Sequence, residues 1–163
     1  MAEGFLKSFD SSLKVYSAGT NPSSQIHPKA VEVMKELGID ISGNYPKNII
    51  KYIDDPFDYV ITVCDDAKET CPVFTGKVKK HLHISFEDPA KVKGNGNEIL
   101  SVFRMVRDKI KTEFFEFYQN LYKLLLSIRC MKKGANKKLN SSKFKVKSPK
   151  VVLKSSKVLR SSS

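Results

Sequence analysis

Two cysteines and one aspartate stand where an α/β enzyme would keep its chemistry. Cys64 follows the apolar run Phe57-Asp58-Tyr59-Val60-Ile61-Thr62-Val63, Cys71 comes seven residues later, and Asp88 lies in the turn Glu87-Asp88-Pro89. In open parallel α/β sheets ligands bind outside the carboxyl ends of the strands, so residues just after each strand are the ones to weigh. A cysteine there can be a nucleophile or a redox thiol, and a carboxyl group can be a general acid. Each also has a plainer reading, which carries more weight while the residues stand alone. Free cysteines are commonly interior, and Asp-Pro is a frequent turn former.

The spacing of the cysteines sharpens the redox reading. Seven residues of regular helix would hold their Cα atoms roughly 10 Å apart along the axis. A disulfide needs them within about 7 Å. Joining the two thiols would therefore require the segment between them to unwind, and Pro72 makes a helix easy to end there. A metal reading is weaker. His81 and His83 are two apart on an expected strand and share a face, but two nitrogens without a spaced third ligand make a poor zinc site, and His27 is alone.

These residues need a sheet to position them. Residues 1–10 read as a helix without a capping residue, 13–18 as a strand stopped by Gly19-Thr20-Asn21-Pro22, and His27-Pro28 as the start of a helix ending at Gly38. Ile49, Ile50 and Ile53 suggest a short helix. Residues 57–63 have the β-branched and aromatic character of a buried strand, and 82–86 form another short strand. Ile99, Phe103, Val106, Ile110, Phe114, Phe117, Leu121, Leu124 and Ile128 recur at steps of three and four, which marks one long amphipathic helix. Alternating strands and helices predict an α/β domain with a parallel sheet.

The formal charge is +12 over 163 residues, but it is unevenly spread. Residues 1–116 carry 16 basic and 17 acidic side chains, and residues 117–163 carry 13 basic and none acidic. The basicity thus belongs to a tail, and residues 129–163, rich in Lys and Ser, are expected to be disordered. The most apolar stretch, 121–128, is far shorter than the roughly 20 residues a bilayer span needs. With Met1-Ala2-Glu3-Gly4 at its start no secretory signal is expected, and three cysteines read as reduced cytoplasmic thiols rather than a disulfide scaffold.

The chain resembles the thioredoxin-coupled arsenate reductases built on the low-molecular-weight protein tyrosine phosphatase fold. Carrying the resemblance are Met1-Ala2-Glu3-Gly4, Val15-Tyr16-Ser17-Ala18-Gly19-Thr20, Gly38-Ile39-Asp40-Ile41-Ser42, 58–64 with Cys71-Pro72, Phe86-Glu87-Asp88-Pro89-Ala90, and Val106-Arg107-Asp108-Lys109-Ile110. It covers residues 1–118, with 119–128 extending the last helix. The cysteine pair separates the chain from the phosphatases. The resemblance implies a three-layer parallel sheet, arsenate as substrate, thioredoxin as external reductant and no bound cofactor. It further implies Cys64 and Cys71 as successive relay thiols and Asp88 as the acid that helps oxygen leave. A monomer is expected, with neither a specific nucleic acid nor a membrane as partner.

One part of the family pattern has no counterpart. The resemblance implies a nucleophilic cysteine in a C-x5-R loop after a first strand, yet six positions after Cys64, Cys71 and Cys130 stand Thr70, Lys77 and Asn136. That strand would precede Met1 and lie between the strands at 13–18 and 57–63. Without it two strand edges would be left unpaired and a gap left in the core. The expectation is an N-terminally truncated, inactive arsenate reductase. Relatives that hold a monovalent cation use residues matching Glu3 and Ser17, but Lys47 replaces a further carboxylate, so no metal is expected. Two other readings fit parts of the chain: a phosphatase-like phosphohydrolase, which leaves Cys64 and Cys71 idle, and a nonenzymatic binder of nucleic acid or membrane surface through the basic tail.

Overall fold

The computed structural model describes residues 1–63, 74–135 and 148–155. Helix α1 (Ala2–Phe9) leads into strand β1 (Lys14–Gly19), helix α2 (Pro28–Lys35), a short 3-10 helix (Ile49–Tyr52) and strand β2 (Phe57–Thr62). Strand β3 (Val78–His83), a single 3-10 turn (Pro89–Lys91), the long helix α3 (Gly96–Ala135) and strand β4 (Lys150–Ser155) complete it. The four strands form one parallel sheet in the order β1-β4-β2-β3, an α/β fold of the expected type.

The central finding is β4. Residues 150–155 lie in the tail expected to be disordered, yet they form a strand between β1 and β2, in the gap expected to be empty. Lys14 to Gly19 align in order with Lys150 to Ser155, and Tyr59 to Thr62 with Val151 to Lys154. Two parallel strands separated by a vacant slot present unmatched N–H and C=O groups on both facing edges, and a strand between them satisfies both. Val151, Val152 and Leu153 supply what a strand buried on both faces requires, a short continuous apolar run. All three are buried, with Val151 and Leu153 on one face and Val152 on the other. The tail expectation fails for these six residues because Lys and Ser around a three-residue run concealed it.

On the first face α1, α2 and α3 pack over the sheet around Phe5, Leu6, Val33, Met34, Phe103 and Phe114. Burying each such side chain contributes about 1.5–3 kcal/mol. The other face has a smaller cluster in which Val152 meets Tyr52, Phe57, Val60 and Phe74.

The helix ends follow from local chemistry. His27 caps α2, its Nδ1 accepting from the Lys29 N–H at 3.2 Å, with Pro28 in the first turn. Beyond α2, Gly38 adopts φ +72°, the left-handed conformation favouring glycine, and the Ile39 N–H bonds back to the Met34 carbonyl at 3.1 Å. Asn95 caps α3 by accepting from the N–H groups of Asn97 and Glu98, while Glu98 Oε2 accepts from the Asn95 N–H at 3.0 Å. Arg107, buried on α3, donates to the Val33 carbonyl at 3.0 Å and to Glu36 at 2.8 Å, tying α3 to the end of α2.

Candidate functional site

Strands β1, β2 and β4 end together, and a cavity of about 370 Å³ opens at their carboxyl ends. Its wall takes Ser17 and Gly19 from β1, Val63 from just after β2, and Leu153 and Ser155 from β4. The N-terminus of α1 contributes Met1, Ala2 and Glu3. First-turn amides of a helix have no intrahelical acceptor and favour an anion. The acid in this first turn is Glu3, whose carboxylate bonds side chains rather than these amides.

Glu3 Oε1 accepts from Lys7 Nζ at 2.5 Å, and Oε2 accepts from the Ser17 hydroxyl. Burial, the largest influence, pushes the Glu3 carboxyl up, but the hydrogen bonds from Lys7 and Ser17 and the charges of Lys7 and Lys47 outweigh it, so the net displacement is downward. Lys47 meets β1 through its carbonyl, which accepts from the Gly19 N–H at 2.9 Å, and its ammonium lies 4.6 Å from the centre of the Tyr45 ring. The two residues matched to a cation site thus bond each other and a lysine. Among the described residues no group of three or more His, Cys, Asp or Glu could hold a metal ion.

Asp88 lines the same cavity, half-buried. Its Oδ1 accepts from the Ala90 N–H at 3.1 Å and its carbonyl from the Lys91 N–H at 3.1 Å, fixing the turn that Pro89 begins. The turn-forming reading is what the hydrogen bonds show, and the capped residue also lines the cavity. A carboxyl so placed can deliver a proton to an oxygen leaving from a bound oxyanion.

Cys64 and Cys71 lie outside the described residues. The chain reaches that segment from the cavity wall: the Val63 N–H donates to the Lys154 carbonyl at 2.8 Å, extending the β2–β4 pairing to the residue before Cys64. His81 and His83 fall on one exposed face of β3, away from this wall, and His27 stacks on Phe103 with 4.6 Å between ring centres.

The β4 residues of the cavity wall, Leu153 and Ser155, have no counterpart in the sequence reading, and Lys154 between them is not part of the wall. Lys154, only 2% exposed, sits where β4 ends, in register with Ala18 and Thr62. The sequence held a usable signal. A sheet lacking a central strand needs one, and Val151-Val152-Leu153 is the one uninterrupted apolar triplet in residues 129–163.

Comparison with known proteins agrees with this architecture. Residues 1–125 match the family described as Low molecular weight phosphotyrosine protein phosphatase. The arsenate reductase of Bacillus subtilis (strain 168) is 41% identical over 118 residues, covering 72% of this chain and 84% of that protein. The arsenate reductase of Oceanobacillus iheyensis is 42% identical over 111 residues, covering 68% and 78%. A solved structure described as an arsenate reductase in the phosphate binding state superimposes with a TM-score of 0.60 at 32% identity, covering 73% of this chain and 86% of that one.

Proposed function

The chain belongs to the low molecular weight phosphotyrosine protein phosphatase family, and from its arsenate reductase relatives we propose that it descends from a thioredoxin-coupled arsenate reductase whose nucleophile these 163 residues lack. In that reaction a cysteine thiolate forms a sulfur–arsenic bond as an oxygen leaves as water, with Asp88 supplying a proton. The Cys64 thiolate then attacks that sulfur, and the sulfur–arsenic bonding pair departs with arsenic, which leaves as arsenite. Cys71 attacks the new disulfide, freeing the first cysteine, and thioredoxin reduces the Cys64–Cys71 bond by thiol–disulfide exchange. The reaction is a two-electron reduction.

The observation that carries the inactivity is β4. The expected nucleophile loop would follow the strand between β1 and β2, and the strand there ends in Lys154-Ser155. Without a first thiol no arseno-cysteine forms for Cys64 to attack. Asp88 at the cavity supports the family reaction over a use of the basic tail alone.

The 163-residue chain, incubated with arsenate, thioredoxin, thioredoxin reductase and NADPH, is expected to give no arsenate-dependent NADPH oxidation. After mild oxidation, thioredoxin is expected to reduce one disulfide, and Cys71→Ser to remove that reaction. Arsenate turnover would overturn the inactivity, and unchanged thioredoxin oxidation in Cys71→Ser would overturn the relay. Hydrolysis of phosphotyrosine esters would favour the phosphatase reading instead.

A further inference from the structure

Helix α3 carries two apolar stripes; the fold buries one and covers the other only in part, at Tyr118 and where Phe9 meets it. Ile110, Phe114, Phe117 and Leu121 face the sheet. The second runs Phe115, Tyr118, Tyr122, Leu126, at steps of three, four and four, and so occupies one other side of the helix. Phe115, Tyr122 and Leu126 are 45%, 49% and 43% exposed. The stripe is continuous at its lower end, where Phe9 of α1 lies 5.3 Å from Phe115 and 6.0 Å from Tyr118, centre to centre, and Tyr118 lies 6.2 Å from Tyr122. Contiguous exposed apolar surface of this kind marks an interaction site.

Charge selects the partner. Lys123 and Glu116 are exposed beside the stripe, and residues 117–163 carry 13 basic and no acidic side chains. A second copy of the chain would bring the same positive charge. Nucleic acid would match the charge but leave Leu126 and the rings wet. An anionic bilayer offers both, phosphate-bearing headgroups for the lysines and arginines and an apolar layer beneath for the stripe, with tyrosines at headgroup depth.

We infer that the Phe115–Tyr118–Tyr122–Leu126 face of α3 docks on an anionic lipid surface, lying along it. No described helix is long and apolar enough to cross a membrane, so the contact is with the surface. It is independent of the redox reading, because none of these four residues lines the cavity.

The full chain should be sedimented with vesicles of phosphatidylcholine alone and of phosphatidylcholine with an equal part of phosphatidylglycerol. Binding to the anionic vesicles is expected to exceed that to neutral ones by about tenfold or more and to fall with added salt. Tyr122→Ser combined with Leu126→Ser should weaken it by about tenfold while leaving the circular dichroism unchanged. If the double variant loses helix, Leu126→Ser alone serves, with a smaller loss. Equal binding by wild type and variant would assign attachment to tail charge alone and overturn the inference. So would equal binding to both vesicles, no binding to either, tighter binding to a DNA duplex, or a wild-type oligomer that the variant dissociates.

Discussion

Strands β3 and β4 are each six residues long, each contains two lysines, and both pair with β2, yet they have opposite fates. In β3 the lysines are central, Val78-Lys79-Lys80-His81, and most of its side chains are exposed. It forms the sheet edge, where lysine discourages further strand pairing. In β4 the lysines stand at positions one and five, around Val151-Val152-Leu153, and the strand is buried between two neighbours. The placement of charge along a strand, rather than its amount, decides which position in a sheet it can hold.

The largest expected effect comes from introducing the same charge into both strands. Val152→Asp would set a carboxylate among Tyr52, Phe57, Val60 and Phe74 and should cost about 4 kcal/mol or more, enough to abolish the native fold of a marginal domain. Lys80→Asp, exposed on β3, should change stability by less than about 0.5 kcal/mol. Urea denaturation of the two variants reads the difference. Equal losses would mean that β4 is not the interior strand.

A smaller effect is expected at the residue that joins the two strands. On β2, Asp58 Oδ1 accepts from Lys79 Nζ of β3 at 2.6 Å, and Oδ2 accepts from the Lys150 N–H of β4 at 2.8 Å. The first is an ion pair with an exposed lysine, and the second satisfies a part-buried backbone donor at the entry to β4. Asp58→Ala should cost about 1–2 kcal/mol, chiefly through that donor. Lys79→Ala should leave the denaturation midpoint unchanged. If Lys79→Ala costs as much as Asp58→Ala, the edge contact carries the bond and β4 does not depend on it.

The same contrast explains what the sequence disclosed. Long or bounded signals read well: the three-and-four recurrence of α3, the Pro28 start of α2 and the β-branched run of β2, while α2 ends at Lys35, three residues short of Gly38. The apolar recurrence marks α3 only to residue 128, whereas the helix continues to Ala135. Residue character points to an edge strand at 82–86, but the strand lies at Val78–His83, because Lys79 and Lys80 break the apolar alternation while backbone pairing to β2 still holds them. Strand β4 went unread because its burial is set by the vacancy between β1 and β2, a property of the assembled sheet. The site was legible to the same extent. Asp88 could be placed from its turn, but a cavity wall made by residue 1 and residue 155 is invisible to any local pattern.

Acid is expected to loosen the cavity end of the sheet, the least of these effects and the most local. The Glu3 carboxyl lies below its ordinary value of 4.5, since the bonds from Lys7 and Ser17 outweigh the upward push of burial. In the folded chain it therefore holds its proton less tightly than in the unfolded chain. Its contribution to stability is complete above the unfolded value and is lost as pH falls through the lower folded one. Glu3→Gln removes that dependence, so the acid limb of stability against pH should become shallower. Glu3, Leu153 and Ser155 share a cavity wall, while β3 reaches β4 only through β2. Hydrogen exchange below pH 4.5 should therefore quicken at the end of β4 relative to neutral pH, after correction for intrinsic rates, while β3 amides shift no more than the global opening requires. A uniform shift across both strands would mean that Glu3 titrates with the whole domain and not with the cavity that β4 closes.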